Sequence, residues 1–112
     1  MSDCLFCRII NREIPATIVA ENEHALAFRD IAPRAPTHVL VVPKAHIATM
    51  DDAVDPNMVG HVLLLAASVA RQEGIVAGGY RTVLNTNAGA GQTVFHLHAH
   101  VLGGRVFDWP PG

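Results

Sequence analysis

The chain has little positive charge and no long apolar run. Eight of its 112 residues are lysine or arginine against ten aspartates and glutamates, which gives a formal net charge of −2. That balance offers no basic surface for nucleic acid or for an anionic membrane. The most apolar stretch, residues 62–70, is too short to cross a bilayer, and no basic segment followed by an apolar run marks a secretory signal. We therefore expect a soluble, cytoplasmic protein with no nucleic-acid or membrane partner.

Cysteine is scarce, and both copies lie in one Cys-x-x-Cys motif formed by Cys4 and Cys7. A structural disulfide is disfavoured in a reducing compartment. A redox pair of the thioredoxin type needs a strand ahead of the motif, and three residues precede it here. Zinc binding and simple burial remain as the interpretations of this pair.

Repeats, low-complexity tracts and linker-like segments are also missing, so residues 1–112 are expected to form a single domain. The regular alternation of strands and helices that marks a doubly wound fold is absent as well. Half of the residues are apolar, a large share for a chain of this length. This composition predicts that a second copy covers part of the surface, in a homodimer.

The predicted elements are one short helix, one long helix and five strands. Asp3 is expected to cap a helix over residues 4–10. The long helix has Asp55 as its cap, Pro56 in its first turn and Gly74 just beyond its end. Strand signals cover residues 17–20, 25–29, 38–43, 80–86 and 93–102. Strands on both sides of one long helix predict an α+β fold.

Three histidines, His96, His98 and His100, alternate with apolar residues near the end of the chain. A strand turns successive side chains to opposite faces, so the three imidazoles are expected to share one face. Mutual repulsion would keep some of them neutral near pH 7, and a neutral imidazole has a nucleophilic nitrogen. Nucleophilic catalysis, metal binding and an accidental surface cluster are all compatible with this spacing.

A glycine-containing loop at residues 87–92 directly precedes the histidines. Glycine allows backbone amides to approach an anion closely. The loop leads into a predicted strand and has no following Lys-Ser/Thr, so it is not a Walker loop. An ordinary turn is the alternative interpretation. Its position beside the imidazoles nevertheless predicts a phosphate site.

The alternating histidines resemble the signature of the histidine triad (HIT) family, and other stretches resemble its Hint branch. These stretches are residues 6–15 (FCRIINREIP), 28–33 (FRDIAP), 35–43 (APTHVLVVP), 91–93 (GQT), 101–105 (VLGGR) and 109–112 (WPPG). The last two distinguish the Hint branch from the Fhit branch and from uridylyltransferases. The resemblance implies a HIT-like fold: an antiparallel sheet of about five strands with one long and one short helix, extended across a homodimer.

The same resemblance implies a purine nucleoside phosphoramidase of the adenosine 5′-monophosphoramidase type. Such an enzyme cleaves a P–N bond through a nucleotidyl-histidine intermediate and needs no cofactor for catalysis. By similarity His98 is the nucleophile, His96 and His38 form a polar relay behind it, and His100 hydrogen-bonds the phosphate.

The resemblance also implies a set of nucleotide contacts. Asn85, the Gly91 amide and Thr93 would meet the phosphate, and Thr93 stands where many Hint proteins carry serine. Asp30 would bind the ribose, with turn capping as the alternative role, and Trp109 would reach towards the partner subunit's site. The implied base pocket, for which ordinary core packing is the alternative, consists of Phe6, Ile9, Ile14, Phe28, Ile31 and Leu40.

The resemblance to zinc-carrying members of the superfamily implies a metal site at Cys4, Cys7, His46 and His96. Two thiolates and two imidazoles make a closed, structural site. Zinc on His96 would prevent that ring from relaying a proton to His38, so the two roles compete. Two alternative functions remain at this point: a zinc-stabilised nucleotide-binding or scaffold module, and a dinucleoside polyphosphate hydrolase, against which the terminal WPPG argues.

Overall fold

The computed structural model describes residues 3–112, which form one antiparallel sheet with two helices. The strand order is β1-β2-β3-β5-β4. In chain order the elements are α1 (Leu5–Ile10), β1 (Ile18–Glu21), β2 (Ala25–Arg29), β3 (Thr37–Pro43), α2 (Pro56–Gln72), β4 (Tyr80–Val83) and β5 (Ala99–Gly103), with 3-10 turns at Met50–Asp52 and Ala88–Ala90. The predicted α+β fold with five strands is confirmed. Among residues 3–112, none of the helices has the length and apolar character needed to span a bilayer.

Strand β3 lies at the centre of the sheet and is buried on both faces, so it appears in the sequence as a continuous apolar run. Val39 and Val41 face the core cluster beneath α2, whereas Leu40 and Val42 face a second cluster on the other side. Leu40 is paired with Phe28 of β2 and with His100 of β5. The register therefore places His100 on the face that α2 leaves open.

Helix α2 begins and ends where the sequence predicts. The Asp55 carboxylate accepts a hydrogen bond from the Asn57 amide at 2.9 Å, and Pro56 occupies the first turn. Glu73 is the C-cap, and Gly74 follows with a φ of +71°, a conformation that favours glycine. The buried side of α2 packs against the sheet through Val62, Leu65, Ala66, Val69 and Ala70.

Helix α1 begins one residue later than predicted, and its cap is Cys4 rather than Asp3. The Cys4 sulfur accepts a hydrogen bond from the Cys7 amide at 3.4 Å, which replaces the expected carboxylate cap. Phe6 and Ile9 are buried in the second cluster. Helix α1 thus covers part of the face opposite α2.

Four strands depart from the predicted bounds. Strand β1 is displaced by one residue, and β3 begins one residue earlier than predicted. Strand β4 ends at Val83 instead of residue 86, and β5 runs from Ala99 to Gly103 instead of from 93 to 102. Pairing between β3 and β5 stops at Val41 and Ala99. Before that point the chain leaves the sheet, and the Leu97 amide donates to the Ile47 carbonyl at 2.7 Å. His100 is consequently the one triad histidine within a strand.

Candidate active site and metal-ligand cluster

A cavity of about 370 Å³ lies on the face opposite α2. All six residues predicted for a base pocket line it, although the Ile31 side chain at its rim is almost fully exposed. The polar part of the lining includes Asp30, Thr93, His98 and His100. The structure therefore brings the predicted apolar set together with two triad histidines; we call this space the apolar cavity.

The His98 ring is held by the backbone beside it. Its Nδ1 lies 2.7 Å from the His96 carbonyl oxygen, and a carbonyl only accepts, so Nδ1 carries the hydrogen. The Phe6 ring packs perpendicular to the His98 ring, with 5.1 Å between centroids. In the neutral ring the lone pair is consequently on Nε2, the nitrogen available for attack.

His38 and His100 form a hydrogen-bonded pair whose tautomers follow from one backbone amide. The Arg34 amide donates to His38 Nδ1 at 3.0 Å, so the neutral ring carries its hydrogen on Nε2. That nitrogen lies 2.9 Å from His100 Nδ1 and 3.4 Å from the Asp30 carboxylate. Because His100 accepts on Nδ1, its own hydrogen is on Nε2. His100 is thus a hydrogen-bond donor in the lining of the apolar cavity.

Burial keeps this pair neutral. Burial, followed by the neighbouring rings of His98 and His38, lowers the pKa of His100 to about 4, with the Asp30 carboxylate acting in the opposite direction. Burial also lowers the pKa of His38, again opposed by Asp30. Both rings are therefore uncharged near pH 7, as the tautomers above require.

The His96 ring is fully buried and faces away from the apolar cavity. Its Nε2 donates to the Pro43 carbonyl oxygen at 2.8 Å, which leaves the lone pair on Nδ1. Nδ1 lies 3.4 Å from Cys4 Sγ, 3.5 Å from Cys7 Sγ and 3.1 Å from His46 Nδ1. His96 therefore belongs to a cluster of two sulfurs and two imidazole nitrogens.

The dimensions of this cluster fit a tetrahedral zinc ion. The four ligand atoms lie within 4.8 Å of one another. Zinc bonds of about 2.3 Å to sulfur and about 2.0 Å to nitrogen imply edges of about 3.5 Å between N and S and about 3.3 Å between two nitrogens. The measured N–S distances of 3.3 to 3.5 Å and the N–N distance of 3.1 Å are close to those edges. The carbonyl bonded to His96 Nε2 is the kind of outer partner that orients a metal-bound imidazole.

The predicted relay between His96 and His38 is wrong, because the two rings do not form a hydrogen bond with each other. Both residues are described, and the hydrogen bonds of His38 are with Arg34 and His100 while those of His96 are with Pro43 and the cysteine cluster. The physical reason is the early end of β5. His38 lies within the β3–β5 register, whereas His96 lies ahead of it, where the chain has turned towards α1.

The loop before the histidines is fixed by Gln92, which the sequence reasoning missed. This buried side chain accepts from the Asn87 amide at 2.8 Å and donates to the carbonyls of Ala48 and Val94 at 2.8 and 3.2 Å. Gly91 has a φ of +99°, a conformation strained for any larger residue. The available signal was the long amide side chain of Gln92 at the end of a turn that otherwise holds only Asn87, alanine and glycine.

The other predicted contact residues are placed as follows. Asp30 lines the apolar cavity, and its Oδ1 also accepts from the Ala32 amide at 2.8 Å, so the turn-capping role is present too. The side-chain Nδ2 of Asn85 lies close to Gly91, 3.9 Å from the position that a Cβ on Gly91 would take. Asn85 lines a neighbouring cleft rather than the apolar cavity. The Trp109 side chain is 82% exposed, and its expected place at a partner's site stays a prediction.

Comparison with known proteins gives consistent results. The HIT domain model matches residues 11–107. An uncharacterized HIT-like protein of Synechococcus elongatus is 54% identical over 112 residues, covering 98% of this chain and 97% of that protein. The structure of a HIT family hydrolase from Legionella pneumophila superposes with a TM-score of 0.95 at 52% identity, covering 98% of this chain and all of the other. A histidine triad nucleotide-binding protein from Candida albicans superposes with a TM-score of 0.84 at 28% identity, covering 96% and 83%. The chain belongs to the HIT domain family.

Proposed function

We propose that this protein is a nucleoside phosphoramidate hydrolase of the Hint type, which releases a nucleoside monophosphate by cleaving a P–N bond. One observation carries the proposal. Two neighbouring imidazoles line one cavity; the first is held by the backbone through Nδ1, which leaves Nε2 for attack, while the second has a hydrogen on Nε2. The names of two similar proteins, a hydrolase and a nucleotide-binding protein, support it.

The lining of the apolar cavity suits a purine nucleotide. Aromatic and aliphatic side chains such as Phe6, Phe28 and Leu40 would contact the flat base. The Asp30 carboxylate lies at the polar end, where it would accept from the ribose hydroxyls. His98, His100 and Thr93 are next to it and would surround the α-phosphate.

In the proposed reaction His98 Nε2 attacks phosphorus, and an N–P bond forms as the P–N bond to the amine breaks. The amine leaves with the electron pair of the broken bond and takes a proton from solvent water. A second water then attacks phosphorus, the electron pair returns to His98 Nε2, and the proton of that water returns to solvent. One water is consumed overall.

The neighbouring groups would stabilise charge as it develops on the phosphoryl oxygens. His100 Nε2–H, the Thr93 hydroxyl, the Gly91 amide and the Asn85 side chain are the proposed donors. Because the His100 pKa is about 4, this ring donates as a neutral group near pH 7. His38 acts through His100, since its Nε2–H fixes the tautomer.

The test is release of AMP from adenosine 5′-phosphoramidate by the protein and by His98→Ala. Removal of a nucleophile is expected to lower kcat by about a thousandfold or more. Binding of AMP, measured by calorimetry, should persist because the base and ribose contacts remain. His24→Ala is the matched control, since His24 stacks on His61 outside the apolar cavity. Turnover by His98→Ala at the rate of the control variant would contradict the proposal.

We also propose a structural zinc ion at Cys4, Cys7, His46 and His96. Two observations support it. The four ligand atoms fit the ion, and burial of His96 lowers the pKa of its ring, which favours the neutral imidazole. When bound, zinc would supply a cross-link between the start of α1, the segment after β3 and the segment before β5. The proposed reaction involves none of its chemistry.

A homodimer with a continuous sheet is part of the proposal. Strand β4 is at the edge of the sheet, and edge strands have unpaired backbone groups. Large apolar side chains exposed on this chain include Leu64, Val76 and Trp109. Gel filtration at a mass near that of one chain would contradict this part.

A further inference from the structure

A second cleft, of about 260 Å³, adjoins the apolar cavity at His100, which lines both. We call it the basic cleft. Its polar lining consists of Arg34, Arg81, Arg105, His38, His100 and Asn85. Within the described part of the chain, no carboxylate lines it, although the whole protein has a net charge of −2. A concentration of positive charge that opposes the net charge points to an anionic ligand.

The guanidinium groups of the basic cleft are held by neutral partners. Arg105 Nε donates to the Arg34 carbonyl at 3.0 Å, and Arg81 donates to the Asp108 carbonyl at 2.9 Å. Both guanidiniums also pack on the Phe107 ring, at 4.2 Å and 5.1 Å from its centroid. Backbone carbonyls and a ring position these groups without cancelling their charge, and no ion pair recorded among residues 3–112 includes either arginine or Arg34.

The position of the basic cleft relative to the proposed nucleophile indicates which part of the substrate would enter the cleft. In-line displacement places the leaving group opposite the attacking nitrogen. His98 and Thr93 line the apolar cavity and not the basic cleft, whereas two other proposed phosphate contacts reach the cleft: Asn85 lines it, and His100 lines both spaces. A leaving group on the far side of the phosphate from His98 would therefore lie towards the arginines.

We infer that the basic cleft binds an anionic group on the leaving part of the substrate. This inference rests on the proposed function and specifies its substrate class: nucleotidyl amines whose amine carries a carboxylate or a phosphate. The bond that breaks, and the fate of its electron pair and proton, are those given above. The anion stays intact and forms charge-assisted hydrogen bonds with the guanidiniums.

The experiment compares three substrates in which AMP is joined through nitrogen to β-alanine, to β-alaninamide or to 2-aminoethyl phosphate. The first two differ in one negative charge and little in shape. We expect kcat/KM for the charged substrates to exceed that for the amide by about tenfold or more, the effect of one hydrogen bond to a charged group. The order of the carboxylate and phosphate substrates identifies which anion the cleft prefers.

Arg34→Gln is the informative variant, because the Arg34 side chain is exposed and makes no hydrogen bond with residues 3–112. It should reduce the charged-to-neutral ratio several-fold. Arg71→Gln, with the same loss of charge at the end of α2, should keep the ratio of the unmodified protein. A ratio of one in the unmodified protein, with AMP released from all three substrates, overturns the inference and leaves the proposed function standing. Absence of release from every substrate overturns both.

Discussion

The two ends of the histidine triad have the same residue type and nearly opposite surroundings. His100 lies in β5, where the β3–β5 register places its ring on His38 beside the apolar cavity. His96 lies ahead of β5, where its ring is buried among two cysteines and His46. The difference shows that a repeated side chain acquires its role from the backbone carbonyls and amides around it. These groups decide which nitrogen keeps a lone pair and where that nitrogen points.

The contrast between the two histidines requires that His96 binds a metal ion, and it would be lost if no metal bound there. We expect about one zinc per chain in protein purified without chelator, and none after Cys7→Ser. With free zinc a thousandfold above its Kd, the ion should raise the free energy of unfolding by about 4 kcal/mol. Urea unfolding with and without a chelator measures this difference. Less than a tenth of an equivalent by elemental analysis would refute the zinc site.

For His100, the contrast is tested by the effect of substitutions on the rate of hydrolysis. His100→Ala removes the proposed donor to the developing oxyanion and is expected to lower kcat by about a hundredfold to a thousandfold. His100→Gln retains an N–H and should recover part of that loss. Both rates are measured on adenosine 5′-phosphoramidate. Equal rates for the two variants would show that the N–H of His100 is not used.

The low pKa of His100 predicts how stability depends on pH. Its folded value of about 4 lies below the usual value near 6.5, so between these pH values the unfolded chain binds more protons and stability falls as pH falls. From pH 7 to pH 5 this ring should contribute a loss of about 2 kcal/mol. Urea titrations at both pH values, on the protein and on His100→Gln, test it. A pH slope unchanged by the substitution would refute the assignment to this ring.

The smallest expected effect is at His38, which acts through His100. His38→Ala leaves the His100 tautomer unfixed and should lower kcat by about tenfold, as for other groups that orient a functional histidine. With adenosine 5′-phosphoramidate, whose leaving group is ammonia, KM should change little, since His38 lines the basic cleft and not the apolar cavity. A change confined to KM would instead indicate a direct role in substrate binding.

Much of the molecule was predictable because it depends on local signals. The caps of α2 and the bounds of β2 follow from short-range patterns, whereas the lining of the apolar cavity was expected only from the resemblance to the HIT family. The start of β5 was not predictable, since it depends on the bond from the Leu97 amide to the Ile47 carbonyl, fifty residues away in sequence. The basic cleft was missed for the same reason, because Arg34, Arg81 and Arg105 meet only once the sheet has formed.

Arg34 takes part in two networks through two different parts of the residue. Its main-chain amide sets the hydrogen on His38, while its side chain lines the basic cleft. Every amino acid except proline supplies that amide. A substitution at this position therefore changes the side chain in the basic cleft and keeps the amide that sets the hydrogen on His38, so the proposed preference for a leaving group is separable from the proposed imidazole chemistry next to it.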